Sequence, residues 1–170
     1  MKLFLTGAPH CGKSTLINKI INKFDPKQGF VTNEIPDGFG GRLGFKTVDD
    51  RKNTTILAHI DNQSTTRVSK YGVDITTFDK FIEPLLDIKS STLLYIDEIG
   101  QMELYSEKFI KLVEIYLGAP NNLIATMSSV YKHELIDRIY HSNNCEIVKV
   151  TEQNRDNLAE ILTAKLKRNI

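Results

Sequence analysis

Long apolar runs are missing from this chain. Beyond the first few residues the longest is Leu93-Leu94-Tyr95-Ile96, far short of a membrane span. Only Leu3-Phe4-Leu5 follow Met1-Lys2, which is no signal-peptide pattern. Cysteine occurs twice, at Cys11 and Cys145, without CxxC spacing. That excludes a disulfide scaffold, a zinc knuckle and an Fe–S cluster, and points to reduced thiols in a cytoplasmic protein. Charge of one sign is also lacking: 22 Lys and Arg face 21 Asp and Glu, for a net charge of +1. Nothing in that balance suggests binding to nucleic acid or to a membrane surface. His59, His133 and His141 are isolated and lack metal-ligand spacing. Internal repeats and low-complexity tracts are absent as well.

What remains is ordinary globular material, 41% apolar and 25% charged over 170 residues. This composition predicts a single domain, 1–170, large enough to need no metal or disulfide staple. Strands and helices alternate at both ends. Lys2 to Thr6 reads as a buried strand, and Leu16, Ile17, Ile20, Ile21 and Phe24 give the following helix its apolar face. From about Gln28 to Asp74 the glycines cluster among short β-forming runs, which predicts a β-rich insertion of two or three strands. Phe78, Phe81, Ile82, Leu85 and Leu86 then fit a helix that Pro84 should kink or begin. Leu93 to Ile96 and Leu123 to Met127 read as strands, with a helix capped by Ser106 and closed by Gly118 and Pro120 between them. Lys132 to Tyr140, Glu146 to Val150 and Asn154 to Lys167 complete a helix, a strand and a last helix. Such alternation implies an α/β fold with a mostly parallel central sheet and helices on both faces.

The segment Gly7-Ala8-Pro9-His10-Cys11-Gly12-Lys13-Ser14, with Thr15 behind it, fits G-x-x-x-x-G-K-[ST] between a strand and a helix. Backbone N–H groups of such a loop cradle phosphates, and the helix N-terminus adds positive potential. Lys13 would reach the β- and γ-phosphates, and the Ser14 hydroxyl would ligate Mg²⁺. The plain alternative is a Gly-rich turn before an amphipathic helix. Cys11, just ahead of the helix, is expected to be a reactive thiol that bound nucleotide protects.

Asp97 and Glu98 end an apolar strand, where unpaired charge is costly to bury. Asp97 suits the Mg²⁺ shell; Glu98, one residue on, should face the other side and orient water. An acid in that place favours hydrolysis, since a kinase gains nothing from activating water. Six arginines are present, and Arg42, in a Gly-rich turn near Glu34, is the first candidate for stabilising transition-state charge; Arg67 and Lys70 are rivals. Asn154 and Arg155 open the last helix at the sheet edge where ligands bind, and either would contact the base.

Four stretches together resemble the small P-loop nucleoside-triphosphatases of the cancer-related type. They are the phosphate loop; Gly29-Phe30-Val31-Thr32-Asn33-Glu34 with Gly41-Arg42-Leu43-Gly44-Phe45; Ile96-Asp97-Glu98-Ile99-Gly100-Gln101-Met102-Glu103-Leu104-Tyr105-Ser106; and Val150-Thr151-Glu152-Gln153-Asn154-Arg155-Asp156. The resemblance implies a P-loop NTPase core of the additional-strand, catalytic-Glu type. It implies slow Mg²⁺-dependent hydrolysis of ATP, GTP, CTP and UTP with little base selectivity. Tyr95, Ile96, Ile99 and Gly100 fall with the acidic pair in the nucleotide-binding set it implies. This chain departs at His10 or Cys11, where the family usually has glycine, at Ser14-Thr15 in place of Thr-Thr, at Ser69 in Arg67-Val68-Ser69-Lys70-Tyr71-Gly72-Val73-Asp74 where the family often has R-V-G-x-Y-G-V-D, and at Thr126-Met127-Ser128 in place of T-V-P. Two other readings stay open: a nucleotide or small-molecule kinase, for which 128–144 is poor in arginine, and a switch module with a protein partner.

Overall fold

Strand β1, Lys2–Thr6, is buried at every position and lies inside the sheet. The computed structural model describes residues 1–168. Helix α1, Lys13–Ile21, follows the phosphate loop. Five strands come next: β2 Lys27–Pro36, β3 Arg42–Asp49, β4 Thr54–His59, β5 Arg67–Val68 and β6 Tyr71–Val73. Helix α2, Ile75–Ile82, leads through a short 3-10 helix to β7, Leu93–Ile99. Helix α3 Glu107–Gly118, β8 Leu123–Met127, α4 Glu134–Tyr140, β9 Cys145–Lys149 and α5 Arg155–Lys167 complete the order.

All nine strands form one sheet, ordered β5-β6-β4-β3-β2-β7-β8-β1-β9. From β2 to β9 the neighbours pair in parallel; from β2 outward to β5 they pair antiparallel. The segment from Gln28 to Asp74, expected to hold two or three strands, takes in five, and all of them join the central sheet. Its first strand sits at the sheet's centre beside β7, and the rest extend that sheet. β8 lies between β1 and β7, as the additional-strand core requires.

Alternation along the strands builds two cores. Phe4, Leu94, Ile96, Leu123 and Ala125 face α2, α3 and α4; Leu3, Leu5, Leu93, Tyr95 and Ile124 face α1 and α5. Helix ends follow local chemistry. Asp74 accepts from Thr77 N at the start of α2, and Ser106 from Phe109 N at the start of α3. Pro84 does not sit inside an α-helix: α2 stops at Ile82, and the proline opens the 3-10 helix at Glu83–Leu86. Gly118 is the last residue of α3 rather than a left-handed cap; the break comes at extended Ala119, ahead of Pro120. Lys2 Nζ reaches the end of that helix and donates to Tyr116 O, Ala119 O and Asn121 O.

Phe30 is the centre of an aromatic cluster on the α2–α3 face. Its ring meets Phe78 at 5.7 Å and Phe81 and Phe109 at 6.0 Å, edge to face. Phe30→Ala should lose about 3–5 kcal/mol of stability, read as a lower midpoint in chemical denaturation.

Candidate functional site

The phosphate loop leaves β1 under the β9–α5 connection. A methyl group on Gly7, at φ 151°, would meet Val150 O at 2.4 Å, so glycine is required by space and conformation together. Lys13 Nζ donates to Gly7 O at 3.0 Å and Ala8 O at 3.1 Å, which leaves one of its three donors for a ligand. Ser129 Oγ also donates to Gly7 O, at 2.9 Å.

Asp97 lies one strand away, at the end of β7, and is 2% exposed. Its Oδ1 accepts from Ser14 Oγ at 3.2 Å and from Thr126 Oγ1 on β8. Its Oδ2 is buried without a hydrogen-bond partner. An orphaned hard oxygen beside a serine hydroxyl fits a divalent cation such as Mg²⁺, which takes few protein ligands and completes its shell with phosphate and water. Among the described residues no cluster of three metal-ligating side chains occurs. Burial pushes the Asp97 carboxyl up, against the pull of Thr126, Ser14 and Lys13.

Glu98 does not face away from Asp97, as strict alternation would have it. Both line one cavity of about 710 Å³ with Lys13, Ser14 and Thr15. The cause is a bulge: Ile96 pairs with Ala125 and Ile99 with Met127, so β7 spends an extra residue there. Burial, then the charge of Asp97, pushes the Glu98 carboxyl up, and Lys13 opposes both. The loop contributes Pro9, His10 and Gly12 to the same cavity, and His10 holds a φ of 63° unusual for a non-glycine residue.

β2 and β3 form the facing wall. Arg42 Nη1 donates to Glu34 Oε1 at 2.6 Å, and both line the cavity. The guanidinium also sits 5.6 Å from the centre of the Phe45 ring. The two rivals lie elsewhere. Arg67 donates to the carbonyls of Asn62 and Lys70, and the Lys70 ammonium rests 5.4 Å from the Tyr71 ring.

Several expected contacts are not made by side chains. Tyr95 and Ile96 pack into opposite cores, and Ile99 joins the α2–α3 core; none lines the cavity. They are buried because β7 is covered on both faces. Cys11 is 6% exposed and packs with Leu3, Leu5 and Leu16, so the expected accessible thiol is a core residue instead. Asn154 spends its amide on the β9–α5 turn, accepting from Thr151 N and donating to Lys149 O, rather than facing a base. Arg155 lies against the loop: a methyl group on Gly12 would meet its Cδ at 2.9 Å.

From the sequence alone, Glu103, Thr32 and Thr126 had no role in the site. Glu103 is 3% exposed on the cavity floor, and its Oε1 accepts from Thr32 Oγ1 at 3.1 Å. Its signal was an acid between apolar neighbours, Met102 and Leu104. A second cavity, of about 380 Å³, opens around Gln28, Asp49 and Leu85 at the other end of β2.

This geometry has counterparts among known proteins. The family model described as NTPase matches residues 2–163. The nucleoside-triphosphatase THEP1 of Thermotoga sp. strain RQ2 is 33% identical, over 99% of this chain and 97% of its own length. The crystal structure of THEP1 from Aquifex aeolicus superposes with a TM-score of 0.89 at 31% identity, covering 99% of this chain and all of that one. The solution structure of a human cancer-related nucleoside triphosphatase gives 0.84 at 30% identity, with 98% and 97% covered. With the family model matched over nearly its whole length, the chain belongs to the NTPase family.

Proposed function

We propose that this chain, a nucleoside-triphosphatase by family, hydrolyses nucleoside 5′-triphosphates to diphosphate and phosphate in the 710 Å³ cavity. The observation that carries the reading is the meeting of Lys13 and Ser14 with Asp97 and Glu98 around one space. The loop amides and Lys13 hold the β- and γ-phosphates. Ser14 and Asp97 are the residues that would hold Mg²⁺. When bound, the ion neutralises charge on the phosphate oxygens.

Glu98 orients water and accepts its proton as the oxygen attacks the γ-phosphorus and the bond to the leaving diphosphate breaks. Arg42, held by Glu34 on the facing wall, would meet charge building on the equatorial oxygens. The reading includes low selectivity among ATP, GTP, CTP and UTP, in keeping with an Asn154 amide spent on backbone groups rather than on a base edge. A cytoplasmic setting belongs to the same proposal, supported by the free Cys11 and Cys145.

The kinase reading is weaker on a specific count. From the segment after β8, the cavity receives Ser128, Val130 and Tyr131, none of them cationic. Arg138 of that segment pairs instead with Glu114, at 2.6 Å. Phosphorus NMR of Mg²⁺-ATP tests the choice directly. Free phosphate should form at one rate with or without added monophosphates and sugars; phosphate appearing on an acceptor would overturn hydrolysis.

Three variants test the roles. Lys13→Ala should lose both nucleotide binding and turnover. Glu98→Gln should bind a fluorescent ATP analogue as wild type does, while kcat falls by about 10²–10⁴. Arg42→Ala should lower kcat by about 10³ with a smaller change in KM, measured by phosphate release.

A further inference from the structure

Thr126 takes no part in the hydrolysis itself, yet it stands opposite the break in the acidic strand. Between the pair Ile96–Ala125 and the pair Ile99–Met127, β7 spends Asp97 and Glu98 against the single Thr126 of β8. On its other side Thr126 is paired with Leu5 of β1. It is wholly buried, and its hydroxyl donates to Asp97 Oδ1. Ser14 Oγ donates to that same oxygen at 3.2 Å. Two hydroxyl donors use both lone pairs of Oδ1. Asp97 Oδ2 is buried and has no hydrogen-bond partner. The two oxygens of one carboxylate are thus made unlike: one is saturated from within the protein, the other is left bare.

We infer that Thr126 is a positioning residue for the divalent ion: by holding Oδ1, it leaves Oδ2 of Asp97 as the oxygen offered to the ion. The inference rests on the reading of Asp97 as a metal-holding residue. A hydroxyl that served only to satisfy a buried acid would be expected at the oxygen in want of a partner; both hydroxyls converge on Oδ1 instead. The two also differ in what they can do. Ser14 lies in the first turn of α1, and its oxygen would itself meet the ion, so it is shared between carboxylate and cation. Thr126 has no second duty: among the described residues Asp97 is its hydroxyl's one hydrogen-bond partner. A β-branched side chain inside a strand has few χ1 choices, so the sheet sets the direction of that hydroxyl.

The test is Mn²⁺ binding in the presence of ADP, read by loss of the free-ion EPR signal, in wild type, Thr126→Val, Thr126→Ser and Asp97→Asn. Valine keeps the branched shape and deletes the hydroxyl; serine keeps the hydroxyl. Thr126→Val should bind Mn²⁺ about 10–100-fold more weakly, as loss of a group that orients a metal ligand does, and Thr126→Ser should stay close to wild type. If Thr126→Val does not fold, Thr126→Cys carries the same expectation, since a thiol is a weak donor.

Thermal unfolding gives a second readout. The rise in Tm that Mn²⁺ brings with ADP present should shrink in Thr126→Val and return in Thr126→Ser; a purely structural loss would lower Tm with and without the ion alike. Wild-type Mn²⁺ affinity in Thr126→Val overturns the inference. So does a Thr126→Ser variant as weak as Thr126→Val, since shape rather than the hydroxyl would then matter. If Asp97→Asn loses Mn²⁺ while Thr126→Val keeps it, Asp97 remains the metal-holding residue and only the role of Thr126 falls. If Asp97→Asn binds Mn²⁺ as wild type does, both readings fall.

Discussion

Burying carboxyl groups side by side is the constraint around which this molecule is arranged. Asp97 and Glu98 at the end of β7 and Glu103 in the 3-10 turn that follows it lie away from most water, and burial raises each of them above its ordinary range. Charge in such a place needs offsetting. Lys13 supplies part of the offset for Asp97 and Glu98 from the phosphate loop, and the hydroxyls of Ser14, Thr126 and Thr32 supply hydrogen bonds. Lys13 and Ser14 belong to α1, Thr126 to β8 and Thr32 to β2. The site thus draws on α1, β2, β7 and β8, and it holds only while the sheet keeps all four in register.

The sheet order serves that need. With β8 between β1 and β7, the phosphate loop and the acidic strand end stand one strand apart, which leaves Ser14 and Asp97 within hydrogen-bonding reach. The intervening strand is no passive spacer, since Thr126 holds the same carboxylate oxygen that Ser14 does. The bulge in β7 then turns Glu98 toward its neighbour instead of away.

Much of this was legible in the chain itself. β1 is found where Lys2 to Thr6 predicted it, because a short apolar run before a glycine loop admits few alternatives. Ser106 begins α3 as its hydroxyl suggested. The parallel half of the sheet follows from alternation of strands and helices. What escaped depends on long-range contact. The centrality of β2 rests on pairing with β7, far away in sequence, whereas the glycine clustering pointed only to a β-rich insertion. The common facing of Asp97 and Glu98 rests on a bulge that no periodicity announces. Cys11 looked reactive by its place before a helix, but its side chain turns into the core. Glu103 is an acid among apolar residues, and only folding reveals that Thr32 lies opposite it.

The wall that carries Arg42 has a property separate from its chemistry. Between β2 and β3 the chain reverses through Asp37 to Gly41, where the Asp37 carboxylate accepts from Phe39 N and Gly41 N, and Phe39 stands 97% exposed. Gly38 and Gly40 have open space where a side chain would go. The turn therefore closes on itself rather than on the cavity, and Arg42 and Glu34 are fixed by strand pairing below it. A few residues added at this tip would change the loop-closure entropy by only about 1 kcal/mol or less. The hairpin is thus a natural graft point, where length and sequence can vary while the wall beneath keeps its shape.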